Sequence, residues 1–134
     1  MSQENVEAVK VAYEAFARGG LERFMQHFTC DVDYRAFEGA PDDRGPMHGR
    51  EAVQAWLEDW MDMFEGFRME LVELVDAGED TLVAAERYGG RAKLSGVETD
   101  STVWTVLTIR DGKIAFGREY PSREQALEAA GLSE

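Results

Sequence analysis

Residues 104–120 read WTVLTIRDGKIAFGREY, two runs of β-branched and aromatic residues joined by Asp111-Gly112. An Asp-Gly pair between alternating apolar positions predicts a hairpin, because both central residues of the favoured two-residue turn take a positive φ. Working upstream, Phe67 to Asp76 and Thr81 to Tyr88 have the same strand texture on either side of an Ala-Gly-Glu-Asp turn. A Gly-rich corner through Gly96 then leads into Val97 to Arg110, the first arm of the hairpin, and Lys113 to Tyr120 is the second. Downstream, Ser122 and Gln125 make a capping box that opens a short closing helix, stopped by Gly131.

The first half of the chain has a different period. From Ser2 to Arg18, Val6, Val9, Tyr13 and Phe16 recur at three- and four-residue spacing, and Glu4 and Glu7 sit where a helix dipole favours anions. Gly19-Gly20 ends that helix, and a shorter one follows with Leu21, Phe24, Met25 and Phe28 on one side. Asp31 to Arg35 alternates like a short strand. Residues 37–49 are rich in Gly, Pro and Asp and read as a mobile rim gating whatever lies beneath. Arg50 to Glu65 carries Val53, Trp56, Leu57, Trp60 and Phe64 at helical spacing opposite a row of acids. Helices first and an antiparallel sheet after predict an α+β fold, a curved sheet wrapped against helices. With no repeat, linker or low-complexity tract, residues 1–134 read as a single domain.

Composition excludes several functions. Lys and Arg number 14 against 27 Asp and Glu, a formal charge of -13, the wrong sign for nucleic acid or an anionic membrane surface. No apolar run is long enough to span a bilayer, and the start, MSQENVEAVK, has no signal-peptide pattern, so a cytoplasmic location is expected. Cys30 is the sole cysteine, which excludes an internal disulfide and a multi-thiolate metal site. Asp31, Asp33, Asp42, Asp43 and His48 match no metal-ligand spacing, and there is no Ser-His-Asp or Cys-His motif and no phosphate-binding glycine loop. Neither metal nor cofactor is expected.

The phrases VEAVKVAYEAFARGGLERFMQHF (6–28), CDVDYRA (30–36), MHGREAVQAWLEDW (47–60) and WTVLTIRDGKIAFGREY (104–120) together resemble the nuclear transport factor 2-like superfamily, including its SnoaL-like and ketosteroid isomerase-like proteins. The resemblance covers essentially the whole chain. It implies a cone whose walls are the concave sheet face and the helices. Because this fold hosts isomerases, cyclases, dehydratases and hydrolases as well as binding modules, it does not name a reaction.

Anchoring the strands by that resemblance turns Leu82, Ala84, Glu86 and Tyr88 inward, with Val103, Thr105, Leu107 and Ile109, and with Ala115, Gly117 and Glu119. A one-residue bulge would invert any of these. Tyr13 stands where isomerase-like relatives carry a phenol that stabilises an oxyanion, although a tyrosine at core spacing is also an ordinary core residue. Two departures argue against steroid isomerase chemistry: Ala36 replaces the proton-shuttling acid, and Thr105 replaces the second acid of the oxyanion hole. Glu86 and Glu119 are then the acid/base candidates, since a carboxyl group in an apolar cavity has its pKa raised toward neutrality; the alternative is that they lie on a solvated face beside Arg87 and Arg118.

Phe16, Tyr34, Trp56, Trp60, Tyr88, Thr105 and Leu107 are the expected pocket wall. Arg35 is expected to pair with Asp33 or Asp31, the alternative being an anionic group of a substrate; His48 is expected to be a solvated loop residue or a lid base, and His27 a hydrogen-bonded core residue or, alternatively, a ligand. The expected function is a pocket protein for a small hydrophobic molecule, acting by cofactor-free acid/base chemistry of isomerase, cyclase, dehydratase or hydrolase type. The alternative is a non-catalytic ligand-binding or dimerisation module. A homodimer is expected through the convex sheet face, where Trp104, Val106, Ile114 and Phe116 would form an apolar patch.

Overall fold

A computed structural model describes residues 2–132. Along the chain run helix α1 (Ser2–Met25), strands β1 (Phe28–Arg35) and β2 (Met47–His48), helix α2 (Arg50–Met61), strands β3 (Phe64–Gly78), β4 (Thr81–Ala92), β5 (Glu98–Arg110) and β6 (Lys113–Tyr120), and helix α3 (Arg123–Ala129). The strands form one curved, unclosed sheet in the order β2-β1-β6-β5-β4-β3. The fold is therefore α+β. One pairing departs from an all-antiparallel sheet: β1 runs parallel to β6. Among the described residues no helix is long and apolar enough to cross a membrane.

α1 leaves helical geometry at Gly20 (φ 78°, ψ -165°), as the Gly19-Gly20 pair predicts. The kink folds the second arm back so that Phe24 meets Tyr13 (5.2 Å between ring centroids) and Phe16 (5.7 Å) edge-on. With Val9, Val32, Val53, Trp56, Leu82, Leu107 and Ile109 they form the main core, on the concave side of the sheet. At the β5–β6 hairpin, Asp111 (φ 54°) and Gly112 (φ 77°) both take the positive φ expected of them.

Just beyond that turn the register slips. Ile109 pairs with Ile114, but Thr108 pairs with Phe116, so Ala115 is an extra residue in β6. Alternation inverts across it. Ile114, expected on the convex face, is buried in the main core, while Ala115, expected inward, is only half-buried. Gly117 and Glu119 lie past the bulge and keep their inward phase, opposite Leu107 and Thr105.

The convex face is also less open than the sequence implies. Ser122 caps α3 by accepting from the Gln125 backbone N–H. Ala126 and Leu127 of this helix then cover Val83 and Val106, with Trp104 packed alongside. Of the four residues in the expected apolar patch, Phe116 is the one left substantially open, at 39 %.

Hydrogen bonds tie the 37–49 segment to the body of the fold. Asp43 accepts from Arg35 (Nε 3.3 Å, Nη2 3.2 Å) and from the backbone N–H groups of Gly39 and Gly45, and Trp56 Nε1 donates to the Asp42 carbonyl at 2.9 Å. Arg35 thus pairs with Asp43, not with its strand neighbours. Asp31 pairs with Arg110, and Asp33 with His48.

Candidate active site

The sheet brings two acids together beside one threonine. Thr105 on β5 is opposite Glu119 on β6, and Glu86 on β4 is one step along, opposite Val103. All three side chains point to the concave side, and both carboxyl groups are buried, the two residues being 6 % and 8 % exposed. Each acid has its own tyrosine. The Tyr13 hydroxyl, from α1, donates to Glu86 Oε2, whose other oxygen accepts from Thr105 Oγ1 at 3.3 Å. The Tyr34 hydroxyl, from β1, donates to Glu119 Oε2 at 3.0 Å.

Tyr34 reaches Glu119 because the residue opposite it on β6 is Gly117. A Cβ there would lie within 2.5 Å of the Tyr34 ring, so only glycine lets the ring lie flat across the strand. Trp56, 1 % exposed, packs on Tyr34 from behind (5.5 Å) and stacks nearly parallel on Trp60 (6.0 Å, 10°).

Around this polar line the lining is apolar: Phe24, Phe28, Leu57, Met69, Leu107 and Ile114. Among the described residues no Lys, Arg or His lines it. The free space is small, about 10 Å³, which is room for one water. Removing a carboxylate from water without a counter-cation favours its neutral form. Burial accordingly pushes the Glu86 carboxyl up to about 7 from an ordinary value of 4.5, against the opposing effect of the Thr105 hydrogen bond. Burial, then repulsion from Glu86, holds Glu119 well above the usual carboxylate range, with Tyr34 pulling the other way. Burial and Glu119 also raise the Tyr34 phenol, which stays a donor.

Near neutral pH this arrangement holds Glu86 on the edge of ionising, beside a second carboxyl group, Glu119, whose proton is also held more tightly than an ordinary glutamate's. Acid and base roles are separated in this way when two titratable groups are pushed apart by their surroundings.

The expected wall residues divide. Tyr13, Tyr34, Trp60, Glu86, Leu107 and Glu119 line the cavity. Thr105, fully buried, meets it through Glu86. Trp56 and Phe16 form a second layer, and Tyr88 lies at the rim, 4.7 Å from Trp60. His48 is exposed beside Asp33, which raises its pKa, and lines a surface hollow with Cys30 rather than this cavity. His27, at the turn after α1, is half-buried and offers its carbonyl to Ile114 N. Sequence reasoning missed Phe24, Phe28, Leu57, Met69 and Ile114 as lining. It also missed the Tyr34–Glu119 bond, whose one local sign is the small residue Gly117.

A cone of helices in a curved sheet, with polar groups on its inner wall, defines a nuclear transport factor 2-like fold. Residues 9–116 match the SnoaL-like domain, and the chain belongs to that family. It is similar to a nuclear transport factor 2-like protein of Burkholderia thailandensis (20 % identity, 96 % of this chain and 97 % of that one, TM-score 0.76). It is also similar to TerC co-crystallised with polyporic acid (20 %, 96 % and 98 %, TM-score 0.74) and to a Mycobacterium tuberculosis protein in complex with estradiol-17beta-hemisuccinate (14 %, 90 % and 95 %, TM-score 0.72). At such identities the likeness is one of fold. No functionally curated protein matches the chain.

Proposed function

We propose that the protein acts on a small apolar molecule by acid/base chemistry carried by its own side chains. Glu86 is the base, Glu119 the acid, and Tyr13 and Tyr34 the donors that fix both carboxyl groups. The observation that carries this reading is the pair of buried carboxyl groups, each held by a tyrosine, in a wall with no cation among the described residues to neutralise them. Ionised Glu86 removes a proton from carbon, and Glu119 delivers one to the atom where negative charge gathers. A proton passing from Glu86 to Glu119 resets the pair. That two proteins of this fold hold polyporic acid and an estradiol ester supports a ligand of apolar, ring-bearing type.

The test uses nitrobenzisoxazole, a planar neutral probe whose ring opens on loss of one carbon-bound proton. Ring opening should rise with pH through about 7 and disappear in Glu86→Gln. A wild-type rate no greater than that of Glu86→Gln would leave the second reading, a non-catalytic ligand-binding or dimerisation module. Two finer points belong to the same proposal. Two copies pair over the part of the convex face around Phe116 that α3 leaves open, which sedimentation would check, and the setting is cytoplasmic, consistent with the exposed free thiol of Cys30.

A further inference from the structure

The cavity around Glu86 and Glu119 holds about one water, yet two larger hollows abut it. One, about 310 Å³, lies between α1 and β3 and shares Tyr13 and Met69 with the cavity. The other, about 190 Å³, lies at the end of α2 and shares Trp60. Each of these two walls is thus a route by which a molecule could reach the carboxyl groups.

The walls differ in chemistry and in what holds them. The α1–β3 hollow sets three charged residues, Lys10, Glu14 and Glu70, among apolar Ala17 and Leu71, a less favourable approach for an apolar molecule than a wall with one charge. Its Tyr13 is tied to Glu86 and packed edge-on against Phe24, so moving it strips a buried acid of one of its two donors. The hollow at α2 is a vestibule lined mainly by apolar and aromatic residues, among them Phe37, Pro41, Phe64 and Tyr88, with Asp42 its one charged member and Thr99 beside it. Trp60 separates it from the cavity. Ring contacts alone fix that indole: a stack on Trp56 and edges against Phe67 (5.1 Å) and Tyr88 (4.7 Å), with no hydrogen bond to the protein among the described residues. It also sits in the last turn of α2, beside the exposed Met63. The 37–46 segment, unlike the Trp60 indole, is held by hydrogen bonds, at Asp43 and through the Trp56–Asp42 bond.

We propose that Trp60 is the door of the cavity, swinging into the vestibule to admit a flat apolar molecule and so selecting what reaches the two acids. This goes beyond the acid/base reading and does not depend on it: a door with no turnover behind it belongs to a binding protein.

Acrylamide quenching of the buried Trp56 tests it without a ligand. In Trp60→Phe/Trp104→Phe, Trp56 is the sole indole behind a closed ring, and in Trp60→Ala/Trp104→Phe the ring is gone. The quenching constant should rise several-fold in the alanine protein. Adding Met69→Ala to the phenylalanine protein should leave it unchanged. Equal quenching in the alanine and phenylalanine proteins, or a rise with Met69→Ala as large as that with Trp60→Ala, overturns the proposal. Should the alanine protein fail to fold, Trp60→Leu replaces it. A readout on the unaltered protein stands beside this: relaxation dispersion should show microsecond-to-millisecond exchange at the Trp60 indole N–H, with Trp56, bonded to Asp42, quiet. A Trp60 indole as quiet as that of Trp56 overturns the door.

Discussion

Replacing Glu86 by glutamine should stabilise the protein above neutral pH and change little in acid. The folded-state value for this carboxyl group is about 7, against 4.5 for an ordinary one. Between those limits the folded protein keeps a proton that the unfolded chain has released, so stability falls as pH rises. The contribution is full below about pH 4.5 and is lost as pH passes through about 7. A shift of that size corresponds to about 3 kcal/mol. In a chain of 134 residues this is roughly 10 °C in Tm. Glutamine keeps the shape and the contacts: its carbonyl accepts from Tyr13 and its amide can donate to the Thr105 hydroxyl. Thermal unfolding of both proteins at about pH 5 and about pH 8.5 is the assay. The glutamine protein should match the wild type at the first and exceed it at the second. The same difference at both pH values, or a wild type that gains stability in base, would refute the reasoning.

Other changes probe the supports of the site. Gly117→Ala should drive a methyl group into the Tyr34 ring, break its bond to Glu119 and lower stability by about 1–3 kcal/mol in urea unfolding. Ile114→Ala should cost about 2–5 kcal/mol, whereas Ala115→Ser, at the half-buried bulge, should cost little; the reverse order would mean that the register of β6 is different. Asp43→Asn should loosen residues 37–46 and expose them to limited proteolysis. The Arg35 guanidinium and the Gly45 and Gly39 amides hold the Asp43 carboxyl down to about 2, so the wild-type segment should stay closed above about pH 4 and loosen as pH falls through about 2.

What could be read in the sequence was local. Asp111-Gly112 specified its turn, Gly19-Gly20 its break and Ser122 its cap, because each acts within a few residues. The inward phase of Glu86 came from the family resemblance, which anchored β4; alternation along the strand then carried it, and alternation alone does not say which face is inward. The bulge at Ala115 was invisible, since an inserted residue has no signature in apolar spacing, and it exchanged the roles of Ile114 and Ala115. The parallel pairing of β1 with β6 joins residues far apart in sequence, so Tyr34 could be placed on a wall but not beside Glu119. The 37–49 segment reads as loose punctuation because composition does not show that Asp43 binds Arg35 and two backbone amides. The covering of Val106 by α3 was equally a tertiary matter: the helix was legible, and where it docks was not.

Carbon-13 titration of the glutamate carboxyl groups, assigned with Glu86→Gln and Glu119→Gln, addresses the site most directly. The Glu86 midpoint should fall at about 7 and that of Glu119 well above the ordinary 4.5, with the Glu119 midpoint dropping when Glu86 becomes neutral glutamine. Two midpoints near 4.5, each indifferent to the other substitution, would contradict the buried pair and remove the acid/base reading with it.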